Sequence, residues 1–293
     1  MNITASFGTT ALRLISYLPY FRGKGLLVLM ILRLCRQVLP LPIRLVNGSQ
    51  LWLNDDDPGR FMLPYWIGKY ESEEILIYRR CLSHLQPNEV IIDLGANVGL
   101  YSVLAAQELV NNGFGRVHAF EPNPQAVDLL RKNVALNHFS HIIIQPQGVS
   151  DTNGQLNIYL NPEHITFGSM RPLSGRDLTQ VVEVPVTTLD NYMSQYPQQR
   201  VGLIKIDIEG GELPALRGAA EILKRDQPYI LYEEFEMNYQ GFGYTTRDLR
   251  SYLSLLGYRL YLLESSGELT PLEVDQHIGD WQNVLACPPQ RTI

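Results

Sequence analysis

Cysteine is scarce in this chain, and long apolar runs are missing. The three cysteines among 293 residues, Cys35, Cys81 and Cys287, are odd in number and far apart. They indicate neither a disulfide framework nor a metal cluster, and they fit a reducing compartment. The apolar run at residues 26–32 is too short for a bilayer-spanning helix, which needs about 20 residues. We therefore expect a cytoplasmic protein.

Acidic residues are absent from the first 54 positions, which contain six Lys/Arg. The rest of the chain carries 18 basic and 30 acidic residues, a net charge of −12, which argues against a nucleic-acid substrate. Residues 1–42 show no basic start or cleavage site typical of a signal peptide, and we predict a basic, apolar helical arm there. Two interpretations stay open: residues 1–40 pack on the main domain, or they contact the inner face of a membrane peripherally.

A turn typical of nucleotide-binding proteins lacks its middle glycine here. A short β-branched run ends at Asp93, and the spacing G-A-N-V-G follows from Gly95 to Gly99. Ala96 and Asn97 stand where the dinucleotide fingerprint has its second glycine, which disfavours an NAD-linked oxidoreductase. S-adenosylmethionine fits better, because Asp93 can interact with its cationic methionine end while the glycines admit the adenosyl group. The alternative is an ordinary glycine-rich turn.

Two further acidic positions follow predicted strands. Glu121 closes a strand at the place where nucleotide-binding α/β units hold the ribose hydroxyls; the alternative is a solvated acid at a strand end. The loop GVSD follows the third strand. In that loop Asp151 is a candidate for the exocyclic amine of adenine and Val149 for the ring face. Alternatively, Asp151 starts a turn with Asn153 and Gly154.

The segment GLIKIDIEGGELPALRG contains the third acidic strand end. Asp207 follows a predicted central strand, at the sheet edge where open α/β sheets bind ligands. Lys205 lies inside that strand and should be paired, with Asp207 or Asp93. Glu209 and Glu212 are expected to begin the next helix.

Alternating helical and strand patterns predict a mostly parallel three-layer α/β sandwich whose last two strands pair antiparallel. We assign residues 43–293 to the main domain: a hairpin and helix lead-in over 43–88, and a core over 89–293. A β insertion is expected near 155–187, and it contains His164. The insertion either shapes a substrate pocket or forms a surface flap.

The strings IIDLGANVGLYS, AFEPNP, GVSD, VPVTTLD and LIKIDIEGGELPALRGA, in this order and spacing, resemble the FkbM-type S-adenosylmethionine-dependent methyltransferases from about residue 43 onward. The resemblance implies a class I methyltransferase (Rossmann-like) fold, with a mostly parallel seven-stranded sheet and one antiparallel strand. Gly211 replaces an alanine common in the family. The candidate cofactor contacts are Asp93, Gly95, Ala96, Asn97, Gly99, Tyr101, Ser102, Glu121, Pro122, Asn123, Val149, Ser150 and Asp151.

The resemblance also implies methylation of a hydroxyl on a sugar, glycan or secondary metabolite. An alcohol must lose its proton, and a carboxylate or histidine can accept it; Asp207 is the first candidate, followed by Glu209, Glu233 and His164. Mg²⁺ held by Asp207 and Glu233 is an alternative that we do not expect. A further alternative is that Asp207 and Glu209 only pair with Lys205 and cap the helix. The other functional interpretations are a protein or membrane-linked acceptor, and a catalytically silent cofactor-binding protein.

Overall fold

A computed structural model of the chain describes residues 10–12, 14–15, 23–34, 42–52, 72–112, 115–161, 168–171, 178–279 and 281–293. The helices of these residues, α1 to α9, are Lys24–Leu34, Ser72–Ser83, Leu100–Asn112, Pro124–Leu136, Leu189–Met193, Glu212–Arg217, Ala220–Arg225, Glu236–Gln240 and Thr246–Leu255. The strands, β1 to β14, are Pro42–Arg44, Gln50–Trp52, Glu89–Leu94, Val117–Phe120, Ile142–Gln145, Gly148–Val149, Gly154–Leu160, Gly168–Ser169, Gln180–Thr187, Arg200–Ile206, Tyr229–Phe235, Arg259–Leu263, Leu269–Pro271 and Trp281–Cys287.

The main sheet has the strand order β13-β12-β14-β11-β10-β3-β4-β5. Neighbours from β11 to β5 run parallel, while β14 pairs antiparallel with both β11 and β12. This is the predicted class I methyltransferase sheet of seven strands with one reversed strand. The sequence did not predict β13, a three-residue strand that extends the β12 edge antiparallel.

Two hydrophobic cores cover the two faces of the sheet, as a three-layer sandwich requires. Side chains alternate between the faces along each central strand. Ile91 of β3 and Leu203 of β10 lie in one core with residues of α2, α3 and α4. Ile92 and Ile204 lie in the other core with residues of α5 to α9. Because both faces are covered, all six residues of β3 are buried.

A small second sheet and the short helix α5 lie on the connection from β5 to β10. The strand order of the small sheet is β6-β9-β7-β8, in which β7 and β9 pair antiparallel over seven residues, from Gly154↔Val186 to Leu160↔Gln180. These are the two strands that the sequence predicts within residues 155–187. The chain then passes through α5 into β10.

The chain after β10 differs from the sequence-based expectation. Glu212 begins α6, as predicted, but Glu209 lies in the preceding turn with a φ of 53°. The single helix expected here is two short helices, α6 and α7, separated at Gly218 and Ala219. A Cβ at Gly218 would lie 2.0 Å from the Ser150 carbonyl oxygen, so the break coincides with a close approach of the small-sheet loop.

The described part of the N-terminal arm contributes to the first core. Leu12, Ile15 and Val28 are buried in the same cluster as Ile91. On α1, Leu26 and Met30 are exposed instead. Within the described residues, no helix combines the length and hydropathy that a bilayer crossing requires.

Candidate active site

Four carboxylates lie at or just after the carboxyl ends of four adjacent strands. The strands β11, β10, β3 and β4 are parallel neighbours. Glu233 belongs to β11 and Asp93 to β3, while Asp207 and Glu121 directly follow β10 and β4. Parallel strands end at a common edge, so the fold brings together four acids that are 140 residues apart at most in sequence. This edge is where open α/β sheets bind ligands.

Asp93 is buried, with a relative exposure of 1%. The Ser102 hydroxyl of α3 donates a hydrogen bond of 2.5 Å to its Oδ2. Burial raises the pKa of Asp93 to about 6, against the opposing effects of the Ser102 hydrogen bond and the Lys205 ammonium. The hydrogen bond thus fixes the position of the carboxyl group. Because burial disfavours the charged form, nearby positive charge is needed to keep Asp93 ionised.

Glu121 is fixed by two backbone amides. The N–H of Asn97 donates to its Oε2 at 2.8 Å, and the N–H of Asn123 donates to its Oε1 at 2.8 Å. Burial raises the pKa of Glu121 to about 7, and the two backbone hydrogen bonds oppose that rise. An ionised carboxylate has about four acceptor positions, so two remain for hydroxyl donors. Asn123 also caps α4 by accepting a hydrogen bond from the Gln125 N–H.

The glycines of the first turn serve the packing of the protein itself. A Cβ at Gly95 would lie 1.8 Å from the Asp207 carbonyl oxygen, and one at Gly99 would lie 2.5 Å from Leu130 Cδ1 of α4. Both glycines have positive φ, 78° and 97°. Because they have no side chain, the Asp207 backbone and α4 can approach the turn. That the same glycines admit the adenosyl group stays a prediction.

Lys205 is paired as predicted, but its nearest partner is a residue that the sequence did not suggest. Its ammonium lies 2.9 Å from Glu74 Oε1 of α2 and 4.0 Å from Asp207 Oδ2. It also lies 4.9 Å from the centroid of the Tyr101 ring, whose hydroxyl donates to Glu74 Oε2 at 2.5 Å. The lysine and Glu74 are both buried. A buried lysine in a strand calls for a buried acid, and the first turn of the lead-in helix supplies it.

The carboxylates beside Asp207 have different environments. The side chain of Asp207 is 42% exposed, whereas Asp93 and Glu121 are buried. Glu233 accepts a hydrogen bond from the indole N–H of Trp281, and burial, Asp207 and Glu209 raise its pKa well above the usual range. Glu209 accepts a 2.7 Å hydrogen bond from Asn238 Nδ2. Trp281 and Asn238 gave no recognisable signal in the sequence.

Glu212 adds a further acid, which is buried, at the start of α6. Its Oε1 accepts the Ile208 N–H at 3.1 Å, which closes the turn after Asp207. Burial raises the pKa of Glu212 to about 8, and Asp207 and Glu209 contribute to the rise. The hydrogen bond to Ile208 makes Glu212 a residue that shapes the turn.

The GVSD loop divides between the interior and the surface. Val149 and Ser150 are buried, whereas Asp151 is exposed and lines a groove beside the small sheet. The remaining cofactor candidates lie in the same loops or in the first turn of α3: Ala96, Tyr101 and Ser102 are buried, and Pro122 is half-buried. His164 lies outside the described residues.

The described residues contain no group of three or more His, Cys, Asp or Glu side chains arranged to hold a metal ion. The Mg²⁺ site suggested by the sequence therefore stays an alternative with two carboxylate ligands, Asp207 and Glu233. A cationic organic ligand with vicinal hydroxyls suits the arrangement better. Burial raises the pKa values of Asp93, Glu121 and Glu233, so nearby positive charge would stabilise their ionised forms. Glu121 in addition keeps acceptor positions for two hydroxyls.

Comparison with known families decides which class of protein carries this site. A model of the methyltransferase FkbM domain matches residues 93–260. The chain belongs to the FkbM methyltransferase family. The match begins at Asp93 and ends within β12, so it includes all four strand-end carboxylates.

Known methyltransferases and a solved structure match parts of the chain. Hexuronic acid methyltransferase AglP of Haloferax volcanii is 27% identical over 157 residues, 50% of this chain and 57% of that protein. The 31-O-demethyl-FK506 methyltransferase FkbM of Streptomyces tacrolimicus is 28% identical over 178 residues, 50% of this chain and 67% of that protein. A methyltransferase FkbM structure from Methylobacillus flagellatus overlaps 80% of this chain and 55% of its own, with 17% identity and a TM-score of 0.45. The matches thus span between about half and two thirds of these proteins.

Proposed function

We propose that this FkbM-family protein is an S-adenosylmethionine-dependent O-methyltransferase acting on a hydroxyl of a sugar, glycan or secondary metabolite. The observation that carries the proposal is the group of four carboxylates at the ends of β3, β4, β10 and β11, of which Asp93 and Glu121 are buried and Asp207 is accessible. The names of two relatives support the acceptor class, because one acts on a hexuronic acid and the other on 31-O-demethyl-FK506.

Two of the residues that would hold the cofactor, Glu121 and Asp93, are already fixed by hydrogen bonds within the protein. Glu121 would accept the two ribose hydroxyls, since the Asn97 and Asn123 amides hold its carboxylate in place. Asp93 would supply negative charge to the methionine end, and the GVSD loop would line the adenine. When bound, S-adenosylmethionine supplies a methyl group activated by its positively charged sulfur.

Asp207 is our choice for the group that removes the acceptor proton. It follows β10 at the middle of the carboxylate group, and its side chain is accessible. Glu233, with its raised pKa, keeps a proton to higher pH and so reduces the repulsion that a second ionised acid would impose on Asp207. A general base in such a position contributes about 10²- to 10⁴-fold to the rate.

Methyl transfer itself is the direct test of this proposal. The purified protein is incubated with S-adenosylmethionine carrying a tritiated methyl group and with separate pools of glycans and hydroxylated metabolites. Label should enter an acceptor as a base-stable methyl ether. Label recovered only in carboxyl methyl esters or amines would contradict O-methylation of a hydroxyl.

A membrane-linked acceptor is the second candidate. The exposed Leu26 and Met30 lie four residues apart on α1, within an N-terminal region of 54 residues that has six Lys/Arg and no acid. Such a combination favours contact with an anionic membrane surface. Co-sedimentation with vesicles containing anionic lipid, but not with neutral vesicles, would support it. Equal recovery with both would remove this candidate.

A further inference from the structure

A groove of about 880 Å³ lies between the small sheet and helices α6 and α9. Tyr159 of β7 lines one wall and Tyr252 of α9 lines another, while Arg217 lies at the end of α6. Its volume is within the range of small-molecule sites. The carboxylate group described above does not use these residues.

One end of the groove adjoins the proposed transfer site. The groove is lined by Ser150 and Asp151 of the GVSD loop and by Phe242. Phe242 packs on the turn after Asp207, since a Cβ at Gly210 would lie 2.7 Å from its ring. Ser169, next to the groove, donates a 2.9 Å hydrogen bond to the Glu209 carbonyl. A molecule reacting beside Asp207 could therefore extend into the groove.

The groove alternates aromatic rings with charged and amide side chains. Tyr159, Tyr252 and Phe242 supply ring faces, and the guanidinium of Arg171 lies 5.9 Å from the Phe242 centroid. Arg171 and Arg217 offer several N–H donors, whereas aspartates and Asn157 offer acceptors. Sugar hydroxyls are donors and acceptors at once, and sugar rings have apolar C–H faces that pack on aromatic rings. The lining also includes the apolar side chains Leu156, Met170, Pro214 and Leu255. A lining that mixes apolar side chains, aromatic rings and polar groups suits sugar units, whose hydroxyls pair with the polar groups while their C–H faces pack on the apolar ones.

We propose that the groove binds sugar units of an extended acceptor, an oligosaccharide or glycoside, beyond the unit that is methylated. This inference rests on the proposed function and narrows its acceptor class from any hydroxylated metabolite to a glycan. Arg217 and Tyr252 are the residues expected to contribute most, because one offers charged donors and the other a ring face. The groove then determines the affinity for the acceptor, while Asp207 removes the proton of the hydroxyl that is methylated.

The test uses the full chain saturated with S-adenosylhomocysteine on an array of immobilised neutral and uronate-containing oligosaccharides. We expect binding to oligosaccharides that Arg217→Ala and Tyr252→Ala each weaken about tenfold, the effect of losing hydrogen bonds to a charged group or a stacked ring. Arg131→Ala is the matched control, since Arg131 is exposed on α4 and pairs with a surface acid, Asp128. The Arg131→Ala variant should bind the oligosaccharides as tightly as the unsubstituted protein does.

Calorimetry with S-adenosylhomocysteine separates this inference from the proposed function. Both groove variants should keep the affinity of the unchanged protein for S-adenosylhomocysteine, which also shows that they fold. The groove proposal is wrong if S-adenosylhomocysteine binds but no oligosaccharide does. It is also wrong if oligosaccharide binding survives both groove substitutions. In either case the cofactor proposal stands. If S-adenosylhomocysteine does not bind to the folded protein, the proposed function fails first.

Discussion

Asp207 is the residue on which the proposed chemistry depends most. It is accessible, it follows a central strand, and its ammonium neighbour Lys205 lies 4.0 Å away. We predict that Asp207→Asn binds S-adenosylhomocysteine with unchanged affinity but transfers methyl groups about 10²- to 10⁴-fold more slowly, because the amide cannot accept the hydroxyl proton. Single-turnover transfer and calorimetry measure the two quantities.

Asp128→Asn is the control for this substitution, because Asp128 lies on the surface of α4. It should leave both quantities unchanged. Normal turnover by Asp207→Asn would remove Asp207 as base and as metal ligand, and would transfer the role to Glu233 or Glu209.

Gly95 tests the close approach between the first turn and the Asp207 backbone. Alanine there would meet the Asp207 carbonyl oxygen at 1.8 Å and would also require a φ of 78°. We predict that Gly95→Ala lowers the free energy of unfolding by at least about 3 kcal/mol. Gly243→Ala is the matched control, since Gly243 has a φ of 74° and open space around it.

Gly243→Ala should lower the free energy of unfolding by only about 1–2 kcal/mol, the strain of a left-handed alanine. Denaturant unfolding of both variants gives the comparison. Equal losses in the two variants would mean that the turn can move away from Asp207, and that Gly95 is required for its backbone angle alone.

Residue identities at strand ends were predictable from the sequence, whereas contacts across the fold were not. Asp93, Glu121 and Asp207 were found because each is an acidic residue at the end of a short apolar run, and such runs are recognisable in the local sequence. Glu74 and Trp281 approach Lys205 and Glu233 from elements about 130 and 50 residues away in the chain. No local pattern encodes such a pairing. The same holds for Gly95, whose missing side chain accommodates a carbonyl from another strand.

At the scale of elements, the buried ion pair between Lys205 and Glu74 joins helix α2 to strand β10. Both side chains are at most 3% exposed. We predict that Lys205→Met lowers the free energy of unfolding by about 3–5 kcal/mol, because Glu74 is left as an unpaired buried charge. The double variant Lys205→Met with Glu74→Gln should recover most of the loss, since no charge then remains buried.

Denaturant unfolding of the two single variants and the double variant gives the coupling energy. The glutamine still accepts the Tyr101 hydroxyl, so the cycle reports the ion pair specifically. Additive losses in the double variant would show that the two side chains stabilise the fold independently.

Most elements were predictable, and the exceptions have identifiable causes. Apolar runs bounded by turn residues gave the parallel strands, and the Asn47–Gly48 turn gave the hairpin of β1 and β2. The break between α6 and α7 was missed because it follows from the packing of Gly218 against Ser150, a contact between distant segments. Strand β13 was missed because three residues are too few for a periodic pattern.

At the scale of the whole molecule, negative charge is concentrated where the strands end. Burial raises the pKa of Asp93 to about 6, of Glu121 to about 7 and of Glu212 to about 8. The folded protein therefore binds more protons than the unfolded chain over this range. The contribution of these three groups to the free energy of unfolding is fully present below about pH 4. It is lost as the pH rises through 6 to 8, where the folded protein has to release the protons.

A ligand that brings an ammonium group to Asp93 and two ribose hydroxyls to Glu121, as S-adenosylhomocysteine does, should offset this loss. Binding favours the ionised acids, so we predict that S-adenosylhomocysteine binds about 10- to 100-fold more weakly at pH 5.5 than at pH 8. The rise in melting temperature caused by S-adenosylhomocysteine should accordingly be larger at pH 8 than at pH 5.5. Glu121→Gln should reduce this pH dependence. An affinity that does not change with pH would place the ligand away from Asp93 and Glu121.

The most direct measurement is a calorimetric titration of the full chain at pH 8 with S-adenosylhomocysteine and, separately, with NAD. The account predicts one S-adenosylhomocysteine per chain, no heat with NAD, and binding at least about tenfold weaker in Glu121→Gln, which loses charged acceptor positions for the ribose. Binding of NAD, or no binding of S-adenosylhomocysteine to the folded protein, would contradict the assignment of Asp93 and Glu121 to an S-adenosylmethionine site.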